Sequence, residues 1–205
     1  MNWQKSAMLK LNGWARLTGG KIDAMCAGMW QAGLKSKHIL FSEPFAYQGM
    51  EAFVRADDNR FNKNLAALNS PDVTIVIVDN DNADYVAQAL FPKAKRVALP
   101  LGASDNDMLM HVKTKKADAA FTAPILGTRF MKANPNTLKQ ADPGHFVRVF
   151  GNTYVVGGDD FKLLHFINTV LAEIENSGFI DQLMQKYQAE YPDMFIPKQK
   201  PYQTP

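Results

Sequence analysis

The chain has one cysteine, Cys26, in 205 residues, so no internal disulfide can form and cysteine counting assigns no redox compartment. No apolar run reaches the roughly 18 residues that a membrane span needs. The opening stretch MNWQKSAMLKLNG carries Lys5 and Lys10 but neither a continuous apolar core nor a small-residue cleavage site, and so does not read as a signal peptide. Histidines are few and scattered: His38, His111, His145 and His165 have no acid or cysteine at ligand spacing, which points to packed or surface side chains rather than a metal site. The basic runs, Lys113 to Lys116 and Lys198 to Lys200, are short and lack interleaved aromatics, which argues against nucleic acid as a partner. There is no serine-centred elbow, no glycine-rich phosphate loop and no paired histidine, so nucleophilic and phosphoryl chemistry have no residues to carry them, and no cofactor is expected.

What is present is the composition of an ordinary globular protein: 46% hydrophobic residues, 21% charged, and a formal charge of +3 spread along the chain. Residues 6–12 could form a short edge strand, and Gly13 to Leu17 gives a turn or two of helix stopped by Gly19-Gly20. Ile22 to Ala27 reads as a buried strand that opens into a turn at Ala27-Gly28-Met29-Trp30, with Cys26 as a small buried filler. A second strand ends at Phe41-Ser42, and a third runs from Tyr47 to Val54 before the polar stretch Arg55 to Asn59.

From Asp72 the pattern becomes strand-helix alternation. Val73 to Val78 is a β-branched run fit for a parallel strand, followed by a helix over Ala83 to Leu90, a strand over Arg96 to Leu99, a helix over Asp105 to Lys115 and a strand over Ala117 to Thr122. Pro124 suits the first position of a further helix. This alternation implies a parallel sheet flanked by helices. Phe146 to Val156 reads as a long strand interrupted at Gly151-Asn152. Asp159-Asp160 caps a helix with an apolar stripe at Phe161, Leu164, Ile167, Leu171 and Ile174. Gly178 breaks it, and a shorter helix carries Phe179, Leu183 and Tyr187 on one side. The proline-bearing tail after Tyr191 is expected to be irregular.

The ordered series Leu17-Thr18-Gly19-Gly20-Lys21-Ile22-Asp23-Ala24-Met25, Phe41-Ser42-Glu43-Pro44-Phe45, Lys115-Lys116-Ala117-Asp118-Ala119-Ala120-Phe121-Thr122 and Gly178-Phe179-Ile180-Asp181-Gln182-Leu183 resembles the bacterial extracellular solute-binding proteins of family 3. These are the polar amino-acid-binding components of ABC importers. The resemblance implies an α/β fold of the two-lobed periplasmic-binding-protein type (type II): a split first lobe over 1–55 and 150–205, an inserted second lobe over 56–149, and hinge strands near 50–56 and 146–152. It implies a small polar solute held in an interlobe cleft, closure by hinge motion, ABC transporter membrane subunits as partners, and a periplasmic location. The strand and helix that open the family's first lobe precede the Leu17 motif and are expected to be missing here. A homodimer or a partner chain completing the first lobe is therefore a further expectation.

Carrying the family's ligand residues onto this chain gives substitutions. The arginine that clamps a ligand carboxylate, six residues before Phe41, falls on Lys35, which keeps the charge but loses the bidentate fork. The neighbouring threonine falls on Ala32, and the aspartate that receives an α-ammonium falls on Ala123. The turn after Val78, where relatives offer backbone amides to a carboxylate, is Asp79-Asn80-Asp81-Asn82-Ala83-Asp84, which disfavours an anion and suits a cationic or hydroxylated ligand. A calcium loop fails here because Leu90 stands where the bidentate acid belongs and Asp84 where the turning glycine does.

The residues expected to bind ligand are Gly28, Met29, Trp30, Lys35, Phe45, Asn80, Asn82 and Thr122, with no catalytic and no metal-binding residue. Two other readings stay open. One is a sensory or interaction domain that has lost its ligand. The other is a small-molecule lyase on the same fold, for which Glu43 and Asp79 are the acid-base candidates.

Overall fold

Glycines and a proline punctuate this part of the chain: Gly19 and Gly20 end a helix over residues 13–18, and Pro44 follows the strand Ile39–Phe41. The structure, a computed structural model, describes residues 13–192 and 194–200, so the edge strand expected over 6–12 lies outside the described residues. Two compact units divide the chain, one up to Gln48 and from Phe150 onward, the other Gly49–Val149. The chain passes from one to the other inside two long strands, β3 (Ala46–Arg55) and β8 (Arg148–Gly157).

Among the described residues, the discontinuous unit starts with helix α1 (residues 13–18). Strand β1 (Ala24–Trp30) and strand β2 (Ile39–Phe41) both pair antiparallel with β8, on either side of it. Between them Gly33–Lys37 forms a 3-10 turn. The expected turn at Ala27 to Trp30 is instead the second half of β1. Its register against β8 shifts between Met25 and Met29, and Gly28 takes φ +65° there, a conformation in which a side chain is strained. Met25 and Met29 turn into a core with Leu17, Ile39 and Val155.

Cys26, expected to be buried, is exposed. An antiparallel strand with one packed face sends alternate side chains to solvent, and Cys26 lies on the side opposite Met25.

Helices α5 (Phe161–Asn176) and α6 (Phe179–Glu190) close this unit. Asp160 caps α5 by accepting from the Leu163 amide at 3.0 Å. The stripe expected along α5 is only partly covered: Leu171 is buried, whereas Phe161 is 65% exposed, and on α6 Phe179 and Tyr187 are exposed as well. The tail is irregular but fastened. Ile196 bridges to Tyr47, Lys198 Nζ lies 3.1 Å from Glu175, and Lys200 Nζ reaches Asp181 at 2.6 Å.

The continuous unit follows the expected alternation. Parallel strands β4 (Thr74–Val78), β5 (Lys95–Leu99) and β6 (Ala119–Thr122) have β4 at the centre, while β3 runs antiparallel beside β6 and carries β7 (Leu138–Gln140) on its other edge. Helices α2 (Asn82–Leu90), α3 (Asp105–Lys113) and α4 (Pro124–Ala133) connect them. Each start has a local cause: Asp81 caps α2, Ser104 and Asp107 form a reciprocal capping box on α3, and Pro124 occupies the first turn of α4. The core gathers Phe53, Val76, Leu109, Val112, Ala120 and Phe130.

Candidate functional site

In the discontinuous unit β1, the Pro44–Phe45 turn and β8 converge on Gly28. A β-carbon built on Gly28 would meet the Asn152 amide oxygen at 3.5 Å and the tip of the Phe45 ring at 3.7 Å, so this glycine stands between an amide and an aromatic ring. Phe45 continues into Tyr154, their ring centroids 5.1 Å apart. Burial, and after it the nearby Cys26 thiol, push the Tyr154 phenol above its ordinary range and keep it neutral. Asn152 is 2% exposed, and its Nδ2 is a buried donor with no hydrogen-bond partner among the described residues. Such a group is uncommon because leaving it unpaired costs about 1–3 kcal/mol.

Trp30, at the end of β1, lies flat on Phe150, with centroids 4.6 Å apart and planes 6° from parallel. Its Nε1 donates to Gln48 Oε1 at 2.7 Å, and Gln48 Nε2 donates to the Met194 carbonyl at 3.0 Å. Lys35 stands on the 3-10 turn with its ammonium 5.6 Å from the centre of the Trp14 ring. Met29 is different. Its side chain belongs to the core with Leu17 and Val155, and its carbonyl accepts from the Thr153 hydroxyl at 2.9 Å.

In the continuous unit the remaining expected residues gather at the carboxyl ends of the parallel strands, the usual ligand side of such a sheet. Asn80 holds φ 57° in the turn after β4. Asp81 accepts from the Asn82 amide at 2.8 Å, and the Asn82 side-chain oxygen is buried with no partner among the described residues. Thr122, at the end of β6, is fully buried and donates its hydroxyl to the Asp105 carboxylate at the start of α3. Asp84, in the first turn of α2, accepts from Gln88 at 2.9 Å. The edge therefore offers acceptors, in the form of carboxylates and one unpaired amide oxygen.

A separate ionic cluster in this unit was not foreseen. Asp118 accepts from Arg55 at 3.0 Å, from Arg60 at 2.6 Å and from the Thr74 amide at 2.9 Å, and Asp58 takes both guanidiniums as well. The Arg60 hydrogen bond holds the Asp58 carboxyl below its ordinary range. Burial pushes Asp118 the other way, but the Thr74 amide and the two guanidiniums outweigh it and leave it lowered too. A shallow hollow of about 520 Å³ lies over Arg55, Asp57, Asp58, Asn59, Arg60 and Lys115. Its guanidiniums already face carboxylates, so the cluster ties β3, the loop after it and β6 together rather than awaiting an anion. Arg55 and Asp118 are far apart in sequence, and only the pairing of β3 with β6 could have revealed the contact.

The sequence profile of the bacterial extracellular solute-binding proteins, family 3, matches residues 10–190. The chain belongs to that family. Several solved structures share the fold of this family 3 protein. A P235GK mutant of ArgBP from T. maritima is 25% identical, with a TM-score of 0.68 over 85% of this chain and 72% of that one. A putative binding component of an ABC transporter from Wolinella succinogenes, complexed with lysine, is 22% identical with a TM-score of 0.69 over 84% and 72%. The ancestral amino acid-binding protein AncCDT-1, described as a precursor of cyclohexadienyl dehydratase, is 23% identical with a TM-score of 0.67 over 84% and 72%. Among curated proteins no sequence matches.

Proposed function

We propose that this family 3 protein binds a small polar solute, as the extracytoplasmic substrate-binding component of an ABC-type importer or a divergent relative of one. It acts by binding and carries out no chemistry. The family membership supports the binding role, and the relatives named above are binding proteins.

The observation that carries the reading is Asn82. Its buried amide oxygen, unpaired among the described residues, stands in a turn of carboxylates at the carboxyl ends of the parallel strands. An acceptor kept in that position is satisfied by a donor on the solute, and the carboxylates around it oppose an anion. The solute is therefore one with a cationic or hydroxylated end rather than an amino acid held by both charged groups. The substitutions Lys35, Ala32 and Ala123 in the family's clamp agree with this.

Calorimetry and thermal shift over polyamines, sugars, organic acids and amino acids test the proposal. Saturable binding of a polyamine or polyol, weakened by Asn82→Leu, is expected. Absence of any ligand at millimolar concentration would overturn it.

A further inference from the structure

At the carboxyl ends of the parallel strands the carboxylates differ in what they already hold. Asp81 caps α2, Asp84 accepts from Gln88 and lies 3.8 Å from the Arg96 guanidinium, and Asp107 closes the capping box with Ser104. Asp79 is exposed, so water serves it. Asp105 is the exception. It is half-buried in the first turn of α3, and its Oδ1 accepts from the hydroxyl of Thr122, the last residue of β6. Thr122 is 1% exposed, which fixes the hydroxyl and with it one carboxylate oxygen. Among the described residues Asp105 Oδ2 has no hydrogen-bond partner, and the carboxylate makes no ion pair. The helix dipole favours an acid in a first turn, but it does not require one fastened to a neighbouring strand by a buried hydroxyl.

We propose that Asp105 receives a cationic end of the solute, an ammonium or a guanidinium, on its Oδ2, and that this contact sets specificity. None of the family's ligand residues counts onto Asp105. A half-buried carboxylate with one oxygen held in place and the other unpaired is best satisfied by a donor that also carries charge. The neighbouring strand end adds to the demand for donors. β6 pairs with β4 in parallel, which brings the turn after β4 beside the end of β6. That turn carries Asn82, 9% exposed, with its side-chain oxygen unpaired among the described residues. A hydroxyl brings one hydrogen to this edge, whereas an ammonium brings three and a guanidinium five. The proposal rests on the solute-binding reading above and decides between the two ends, cationic and hydroxylated, that it allows.

The test uses the full chain and three probes: putrescine, which carries ammonium groups, agmatine, which carries a guanidinium as well, and sorbitol, which carries hydroxyls alone. Binding is measured by calorimetry, and the Asp105 carboxyl carbon, assigned by triple-resonance spectroscopy, is followed through each titration. Putrescine or agmatine is expected to bind and to shift that resonance. The isosteric Asp105→Asn, which still accepts from Thr122, is expected to weaken the binding about tenfold or more. The resonance is read on the unaltered protein, so the proposal stays testable if the variant fails to fold. Binding of a cationic probe with the Asp105 resonance unmoved, or with undiminished affinity in a folded Asp105→Asn, overturns the role of Asp105 and leaves the solute-binding reading standing. Binding of sorbitol without either cation does the same. Absence of binding by all three at millimolar concentration overturns the proposal too, and the wider ligand screen then decides whether the solute-binding reading falls with it.

Discussion

Trp30 and Phe150 form a parallel stack across two paired strands, and the same indole donates to Gln48, whose amide in turn holds the Met194 carbonyl in the tail. One aromatic side chain thus joins β1, β8, the end of the discontinuous unit's first segment and its last one. Trp30→Phe should keep the stack and lose the indole hydrogen bond, costing about 1 kcal/mol. Trp30→Ala should lose both, with a cost of about 2–3 kcal/mol. Urea unfolding followed by circular dichroism separates the two, and equal effects would show that the hydrogen bond, not the stack, holds the segments.

Acid should weaken the continuous unit through Asp58 and Asp118. Both carboxyls are lowered from the ordinary 3.8. A group with a depressed folded value stabilises fully above its unfolded value and loses that contribution as pH falls through the folded one. The urea midpoint is therefore expected to hold steady from neutral pH to about pH 5 and to fall below about pH 4. Asp58→Asn should start from a lower plateau and decline less steeply in acid. An acid limb identical to that of the unaltered protein would remove Asp58 from the explanation.

Gly127 sits on α4 directly against Phe53, and a β-carbon there would fall 2.0 Å from the ring. Phe53 is fully buried and cannot swing aside. Gly127→Ala is expected to destabilise by about 2–3 kcal/mol, although alanine is the better helix former. Phe53→Leu in the same chain should recover part of the loss, giving a double variant less destabilised than the sum of the singles. Additive effects would mean that the clash is not with Phe53.

The exposed thiol of Cys26 should titrate with Ellman's reagent in the native protein, without denaturant. Cys26→Ser should change stability by less than about 0.5 kcal/mol. A thiol that reacts only after unfolding would return Cys26 to the interior.

The continuous unit was largely legible because its signals are local. The run Val73 to Val78 is apolar on both faces, as a central parallel strand must be, and Asp81 and Pro124 mark helix starts by their own chemistry. Burial in the other unit was harder to read. A stripe such as Phe161, Leu164 and Leu171 shows which side of a helix is apolar, not whether anything covers it, and Phe161 is mostly exposed. Cys26 was misread for a related reason, since the facing of a strand's side chains depends on which of its sides is packed.

At the site, Gly28 and Phe45 were both expected and do meet, but Asn152 registered only as an interruption in a strand. A single sequence cannot show that a side chain more than a hundred positions away points at a glycine. That information resides in the pairing of β1 with β8.

The division of the chain also imposes an order of events during synthesis. Residues 49–149 emerge as one uninterrupted stretch with every strand of their own sheet, so that unit can complete its core while translation continues. The other unit begins first and finishes last. Among the described residues its strands β1 and β2 pair only through β8, and Tyr47 and Gln48 find their tail partners at Ile196 and Met194. Until the ribosome has delivered those residues, the Met25 and Met29 face lacks Val155, and the nascent half-unit is the stage most open to aggregation or to capture by a chaperone.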